Sequence, residues 1–236
     1  MNNFTYGIRK GLPIGLGYLF VSFSFGVMVV NKGVAPITGI IMSLTNITSA
    51  GQYAGLELIA QKASILEILL TTILINLRYT LMSISLSQKL DDSIPTWQRL
   101  IFGFGITDEV YAMAVLETRR ITFRYMMGLI LLPILCWVLG TTLGAYSANI
   151  MPEKLLNAMN IALYAMFIAI IFPEARKSYK ISIVILIAVA ISVLFYYTPV
   201  IKEIGLGFKV IIATVVAAIF GAILFPVEEG EKEWYI

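Results

Sequence analysis

Long uncharged runs separated by short charged loops dominate the hydrophobic pattern of this chain. An α-helix needs about twenty apolar residues to cross a bilayer, and most of these runs approach that length. The pattern predicts an all-α, polytopic membrane bundle of about seven or eight segments in one integral membrane domain, residues 1–236. The predicted segments are 11–31, 33–56, 64–88, 100–116, 125–152, 155–173, 181–201 and 210–227.

Segment 33–56 is uncharged but makes a poor continuous helix, because small and polar residues interrupt it. We expect a break near Thr48, and the spacing of Ser49 and Gln52 fits a capping box at the start of a second half-helix. Helix ends at membrane depth are tolerated only where the backbone lines a cavity or is covered by protein. The other interpretation of the segment is a packing face of small residues.

Segment 100–116 is barely long enough to span the membrane, since a helix of this length is about 25 Å long and the hydrocarbon core is about 30 Å thick. Gly103 and Gly105 are expected to break it just before Thr107. The two acidic residues that follow would complement the dipole of a half-helix.

The two halves of the domain differ in regularity. Residues 1–124 are predicted to carry the interrupted helices, and residues 125–236 conventional spans. If both irregular segments cross the membrane, basic residues favour one side by ten to six; if both are re-entrant, by eleven to five. Either count places the N- and C-termini in the cytoplasm.

The first segment follows Arg9 and Lys10 and is too long for a signal peptide, whose apolar core has about 7 to 15 residues. We therefore expect an uncleaved span. Pro13 is expected in its first turn, where proline is tolerated. Residues 91–99 are expected to form a polar loop with Trp97 as an interfacial anchor.

Composition supports the membrane class, with 59% hydrophobic residues, 13% charged residues and a mean hydropathy of +0.88. The chain has no histidine and a single cysteine, Cys136, which excludes histidine metal sites, histidine-based triads and an internal disulfide. The net charge of +3 is too small to suggest nucleic-acid binding. We predict a lipid bilayer as the environment, with no catalytic residue, metal or cofactor.

The candidate functional groups are charged residues at the centres of two predicted segments. Taking 64–88 as one helix places its midpoint at Asn76, beside Arg78, and the next apolar piece is centred on Asp108, beside Glu109. Each such charge costs about 2.5–3.5 kcal/mol at a membrane helix centre, so these groups must pair, face water or bind a ligand. Asn76 and Arg78 lie about 200° apart on a helix, so one is expected to brace a broken backbone while the other faces a cavity.

Several different short motifs of glycine, polar and acidic residues are distributed along nearly the whole chain. They are Gly11-x-Pro13, Gly17-Tyr18 with Phe25-Gly26, Met42-Ser43 to Gly51-Gln52, Asn76-Leu77-Arg78, Thr107-Asp108-Glu109, and Trp137 with Gly140-Thr141 and Gly144. With these motifs the chain resembles the AzlC family of branched-chain amino acid transport proteins. The resemblance implies the large subunit of a two-component exporter in the bacterial cytoplasmic membrane, working with a small membrane subunit, AzlD.

The chemistry expected from the residues agrees with this resemblance. A free amino acid could place its carboxylate on Arg78 or on a half-helix N-terminus, and its ammonium group on Asp108 or Glu109. The sequence contains no GxxxxGK[ST] motif for ATP, so energy must come from a gradient or another chain. The candidate substrate-binding residues are Ser43, Asn46, Ser49, Gln52, Asn76, Arg78, Thr107, Asp108 and Glu109.

Proton coupling is a further prediction from the same charges. One positive and two negative groups leave one carboxylate unpaired in an empty site, and desolvation favours its neutral form. Releasing that proton when a substrate ammonium arrives keeps the charge balanced, as antiport requires. Asp108 is the first choice for the proton carrier, with Glu109 as the fixed partner of Arg78.

Two other functions are compatible with these residues. A non-transporting membrane scaffold or assembly subunit would use the polar centre only to hold subunits together. An intramembrane enzyme using Asp108 and Glu109 is disfavoured, because adjacent helical residues point about 100° apart and form no acid pair.

Overall fold

The structure is a computed structural model, and the all-α prediction is confirmed for the residues that it describes. These are residues 3–152, 178–198 and 206–226, with Lys154, Ile168, Phe172, Ala175 and Arg176. The helices are α1 (Phe4–Asn31), α2 (Pro36–Thr45), α3 (Ala50–Ala60), α4 (Ile65–Ser87), α5 (Thr96–Gly103), α6 (Asp108–Val115), α7 (Phe123–Ser147), α8 (Tyr179–Tyr197) and α9 (Leu206–Leu224), with a 3-10 turn at Ala148–Ile150. Predicted segment 155–173 lies outside the described residues, apart from Ile168 and Phe172.

Four helices among the described residues are long and apolar enough to cross a membrane, namely α1, α4, α7 and α8. The bounds predicted for segment 64–88 are confirmed, because the Ser64 side chain caps α4 by accepting a hydrogen bond from the backbone N–H of Glu67. The predicted loop 91–99 is too long, since α5 already begins at Thr96. Pro95 precedes that helix and positions its start.

The prediction for Pro13 is wrong, because this residue lies inside α1 and not in its first turn. The helix starts earlier than the apolar run does. Its N-cap is Asn3, whose side chain accepts a hydrogen bond from the backbone N–H of Tyr6. The helix therefore begins at this cap and not at the first residue of the apolar run.

Helices α1 and α7 pack side by side and run parallel. Gly7, near the start of α1, lies against Tyr125 near the start of α7, and Gly26, near the end of α1, lies against Thr141. Glycines of α7 meet the α1 backbone in the same way, at Gly128, Gly140 and Gly144. Small residues let helix backbones approach closely, so this interface forms the centre of the bundle.

Gly26→Ala is expected to destabilise the protein. The added Cβ would lie 2.1 Å from the carbonyl oxygen of Thr141, a backbone atom that moves only if α7 moves. Overpacking of this kind costs about 1–3 kcal/mol, so the melting temperature in detergent should fall. Gly103→Ala is the matched control, because a Cβ there meets no described atom within 4 Å. Equal melting temperatures for wild type and Gly26→Ala would contradict the close packing.

Hairpin A consists of α2 and α3. Its outer end lies at the C-terminal end of α1, where Glu57 of α3 forms an ion pair of 2.7 Å with Lys32. Its tip, residues 46–49, lies near the middle of α1, where Ile47 packs against Tyr18. Hairpin A therefore enters the bundle and returns to the same end.

Hairpin B consists of α5 and α6 and enters from the opposite end. Trp97, near the start of α5, lies 6.1 Å from Phe123 at the start of α7, measured between ring centroids. Glu117, just after α6, lies 3.5 Å from the hydroxyl of Tyr125, so the hairpin also ends at the start of α7. Its tip, residues 104–107, reaches the middle of α1.

Both irregular segments are thus re-entrant, and the breaks predicted near Thr48 and before Thr107 are confirmed. If neither hairpin crosses the membrane, α4 is the single crossing between α1 and α7. These two helices must then run parallel, as they do in the structure. The two tips meet near the middle of the bundle, where membrane helices are otherwise continuous. The broken backbone and the residues beside it form the candidate site.

Candidate functional site

A cavity of about 230 Å³ lies where the two hairpin tips meet α1, α4 and α7. Its wall combines polar groups of the tips and of the α6 start with apolar side chains. The described residues of the wall are Pro13, Ile14, Gly17, Tyr18, Val21, Ile47, Ser49, Tyr79, Thr107, Asp108, Glu109 and Trp137.

Polar contacts hold the tip of hairpin A. Asn46 Oδ1 accepts hydrogen bonds from the backbone N–H and the hydroxyl of Thr48, at 3.1 and 2.6 Å. The Thr48 carbonyl accepts one from the Tyr79 hydroxyl at 3.1 Å. Ser49 has φ 51° and ψ −93°, outside the regions that L-residues favour. Such a strained residue on a cavity wall points to function.

The predicted capping box at Ser49 and Gln52 is wrong, because Ser49 makes no side-chain capping bond to α3. Gln52 instead turns into the bundle. Its Nε2 donates to Ser43 Oγ at 2.7 Å, and its Oε1 accepts from Trp137 Nε1 at 2.9 Å. Ser43 Oγ also lies 2.7 Å from Thr141 Oγ1. This buried network anchors hairpin A to α7.

Asn76 and Arg78 point in different directions, as their spacing predicts. Asn76 packs against the start of α3, since a Cβ added to Gly51 would lie 2.7 Å from Asn76 Oδ1. Arg78 Nη1 lies 2.9 Å from Asp108 Oδ2, and Arg78 Nη2 donates to the Tyr79 hydroxyl at 3.0 Å. Asn76 therefore braces hairpin A, and Arg78 pairs with hairpin B.

The prediction that Glu109 is the partner of Arg78 is wrong. Glu109 Oε2 lies 2.5 Å from the Tyr18 hydroxyl, which also lies 2.6 Å from Thr107 Oγ1. Adjacent residues of a helix point about 100° apart. The first turn of α6 therefore directs Asp108 toward α4 and Glu109 toward α1.

Four of the nine predicted binding residues line the cavity, and five surround it without belonging to its described wall. The four are Ser49, Thr107, Asp108 and Glu109; the five are Ser43, Asn46, Gln52, Asn76 and Arg78. Sequence reasoning missed Tyr18, Tyr79 and Trp137 on the wall. The two tyrosines place a hydroxyl group near the centre of an apolar helix, so the criterion that selected Asn76 would have found them too.

A comparison with known proteins supports the family resemblance that the motifs around this cavity indicate. The family model described as AzlC protein matches residues 13–151, which is more than half of the chain. The chain belongs to the AzlC family. Every described residue of the cavity wall and all nine predicted binding residues lie inside the AzlC match.

Relatives of this AzlC protein carry membrane-protein names. An uncharacterized membrane protein of Archaeoglobus fulgidus is 31% identical over 175 residues, which cover 73% of this chain and 76% of the relative. Inner membrane protein YgaZ of Escherichia coli is 29% identical over 150 residues, which cover 62% of this chain and 61% of the relative. No solved structure matches the chain. This AzlC chain is accordingly a membrane protein, as its composition predicts.

Proposed function

We propose that this protein is a secondary transporter that exports branched-chain amino acids, of the leucine, valine and isoleucine class and their analogues, across the cytoplasmic membrane. The observation that carries the proposal is the cavity between two re-entrant tips, where carboxylates and helix N-termini lie beside apolar side chains. Secondary transporters commonly bind substrate at the ends of discontinuous helices near the bilayer midplane.

The start of α3 is the part of the cavity best suited to the substrate carboxylate. A helix N-terminus presents backbone N–H groups and a partial positive charge, and Ser49, the residue before α3, lines the cavity. Arg78 is the other candidate for this role. Because it is engaged by Asp108 and lies outside the described wall, we assign it the role of holding Asp108.

Glu109 is the carboxylate best suited to the substrate ammonium group. Asp108 and Glu109 both line the cavity, but Asp108 already has Arg78 as its cationic partner. An ammonium group beside Glu109 would therefore complete the charge balance of the site. The substrate side chain would meet the apolar wall formed by Pro13, Ile14, Val21, Ile47 and Trp137.

Glu109, Tyr18 and Thr107 also support proton coupling. A phenol carries a single hydrogen, so Tyr18 can donate to Glu109 when the acid is ionised. It can donate to Thr107 instead when the acid is neutral and itself donates to Tyr18. Both protonation states of Glu109 keep their hydrogen bonds without backbone movement. We propose that Glu109 releases its proton to the cytoplasm as substrate binds, so that inward proton movement drives export.

A small membrane subunit of the AzlD type is the proposed partner. The side chains of Arg78 and Asp108 are each 33% exposed near the middle of the bundle, where a charge open to lipid is costly. Six of the exposed apolar residues on α4 are spaced by three or four positions and so form one face. That face is Leu66, Leu70, Ile73, Leu77, Leu81 and Ile84. A second chain on α4 would cover both features.

Substrate efflux from lipid vesicles tests the proposal. Vesicles that contain the chain and a co-expressed AzlD-type subunit, loaded with leucine, valine or isoleucine, should release them faster than protein-free vesicles, and faster still when protons can flow in the opposite direction. Vesicles with the chain alone should be slower. Efflux equal to that of protein-free vesicles would contradict transport and favour a scaffold. Full efflux from the chain alone would contradict the need for a partner.

A further inference from the structure

Gly17 differs from the other glycines in the first half of α1. A Cβ added to Gly7 or Gly11 would lie 2.3 Å from a backbone oxygen of α7, and one added to Gly15 would lie 3.2 Å from α7 atoms, so all three glycines lie in the close-packed interface. A Cβ added to Gly17 would meet none of the described atoms within 4 Å. Two residues after Gly15, it points about 200° away from the α7 interface. Close packing therefore does not explain a glycine at this position.

The open space beside Gly17 belongs to the cavity. Gly17 lines the wall together with Pro13 and Val21, which lie one helical turn before and after it on the same face of α1. The missing side chain leaves a notch between these two larger residues. Ile47 and Trp137 line the same cavity, so the notch belongs to its apolar part.

The polar part of the cavity is connected to the residue that follows Gly17 in the sequence. Tyr18, the next residue of α1, holds Glu109 through its hydroxyl. Glu109 and Gly17 line the same cavity, so a ligand whose ammonium group lies at Glu109 can extend its side chain toward the notch. Any side chain added at Gly17 would occupy the space that this part of the ligand needs.

We infer that Gly17 sets the size of the substrate side chain that the cavity accepts. This inference rests on the proposed transport of amino acids through the same site. A hydrophobic pocket discriminates between ligands that differ by one methylene group by about 10- to 200-fold. Filling the notch by one or three carbon atoms should therefore change the preference among alanine, valine and leucine, and not only the overall rate.

The experiment compares wild type, Gly17→Ala and Gly17→Val in vesicles with the partner subunit, using alanine, valine and leucine as substrates. The ratio of leucine to alanine efflux should fall by about tenfold or more in Gly17→Val, with a smaller fall in Gly17→Ala. Gly103→Val is the matched control: a Cβ there also meets no described atom within 4 Å, and Gly103 is not on the described wall. Its ratio should equal that of wild type.

The outcomes separate this inference from the proposed function. Equal loss of leucine and alanine efflux in both Gly17 variants, or no loss in either, would overturn the role of Gly17 while leaving transport in place. No efflux of any amino acid by wild type would overturn the proposed function, and the size rule with it. If Gly17→Val folds poorly, Gly17→Ala decides alone, because alanine favours a helix over glycine and enters open space.

Discussion

Arg78→Ala is expected to reduce transport to the level of protein-free vesicles, and Arg78→Lys to recover little of it. In the wild type, Arg78 contacts Asp108 of hairpin B and the Tyr79 hydroxyl, which donates to the Thr48 carbonyl of hairpin A. One guanidinium group therefore connects α4 to both tips. Alanine breaks this connection and leaves a carboxylate unpaired at membrane depth, at a cost of about 2.5–3.5 kcal/mol. Lysine lacks the planar fork that reaches two partners at once.

A double variant separates the loss of transport from the loss of folding. Arg78→Gln combined with Asp108→Asn removes both charges together, so the amount of folded protein in the membrane should approach that of wild type. Transport should stay near background, because the ion pair no longer holds hairpin B. Arg124→Ala is the matched control, since it removes an exposed arginine at the start of α7. Near-normal transport by Arg78→Ala would remove Arg78 from the site.

Glu109→Gln is expected to abolish the response of efflux to a proton gradient. Glutamine resembles the neutral acid and can still bond to Tyr18, but it neither releases a proton nor offers a charge to the substrate ammonium group. Wild-type efflux should accelerate when the side that receives the substrate is made acidic. Efflux by Glu109→Gln should be slow and equal with and without the gradient. Efflux measured from the same vesicles with and without the proton gradient tests this prediction.

Two further carboxylate variants are compared with Glu109→Gln. Glu117→Gln makes the same chemical change outside the described cavity wall and should keep the gradient response. Asp108→Asn leaves Arg78 without its partner and releases hairpin B, so its efflux should fall to near background, as in Arg78→Ala. If Glu109→Gln keeps a normal response, Glu109 is not the proton carrier. Near-normal efflux by Asp108→Asn would contradict the role of the ion pair in holding hairpin B.

Local patterns were sufficient to predict several parts of the fold. The bounds of α4 follow from a long apolar run that begins after a serine cap, and both determinants are contained in the run itself. The breaks at 46–49 and 104–107 follow from clusters of small and polar residues, which weaken a helix wherever they occur. The placement of Asn76 and Arg78 on different sides of α4 follows from helical geometry alone.

Predictions that required knowledge of a distant partner were less successful. The spacing of Ser49 and Gln52 fits a capping box, but the buried Trp137 and Ser43 offer Gln52 better partners. A buried amide left without partners would cost about 1–3 kcal/mol, and this outweighs the gain from a cap. The sequence contains no local indication that α7 brings Trp137 to this position.

By itself, the sequence determined the membrane class, most of the helical segments, the positions of the breaks and the presence of charge at two segment centres. Each of these depends on residues that are close together in the chain. Only the tertiary structure decided that both broken segments are re-entrant, which acid pairs with Arg78, and that Gly17 faces a cavity. A period of 3.6 residues fixes positions around one helix, but not the rotation of that helix against its neighbours. The direction of the chain after a break depends on distant contacts, such as the ion pair between Lys32 and Glu57.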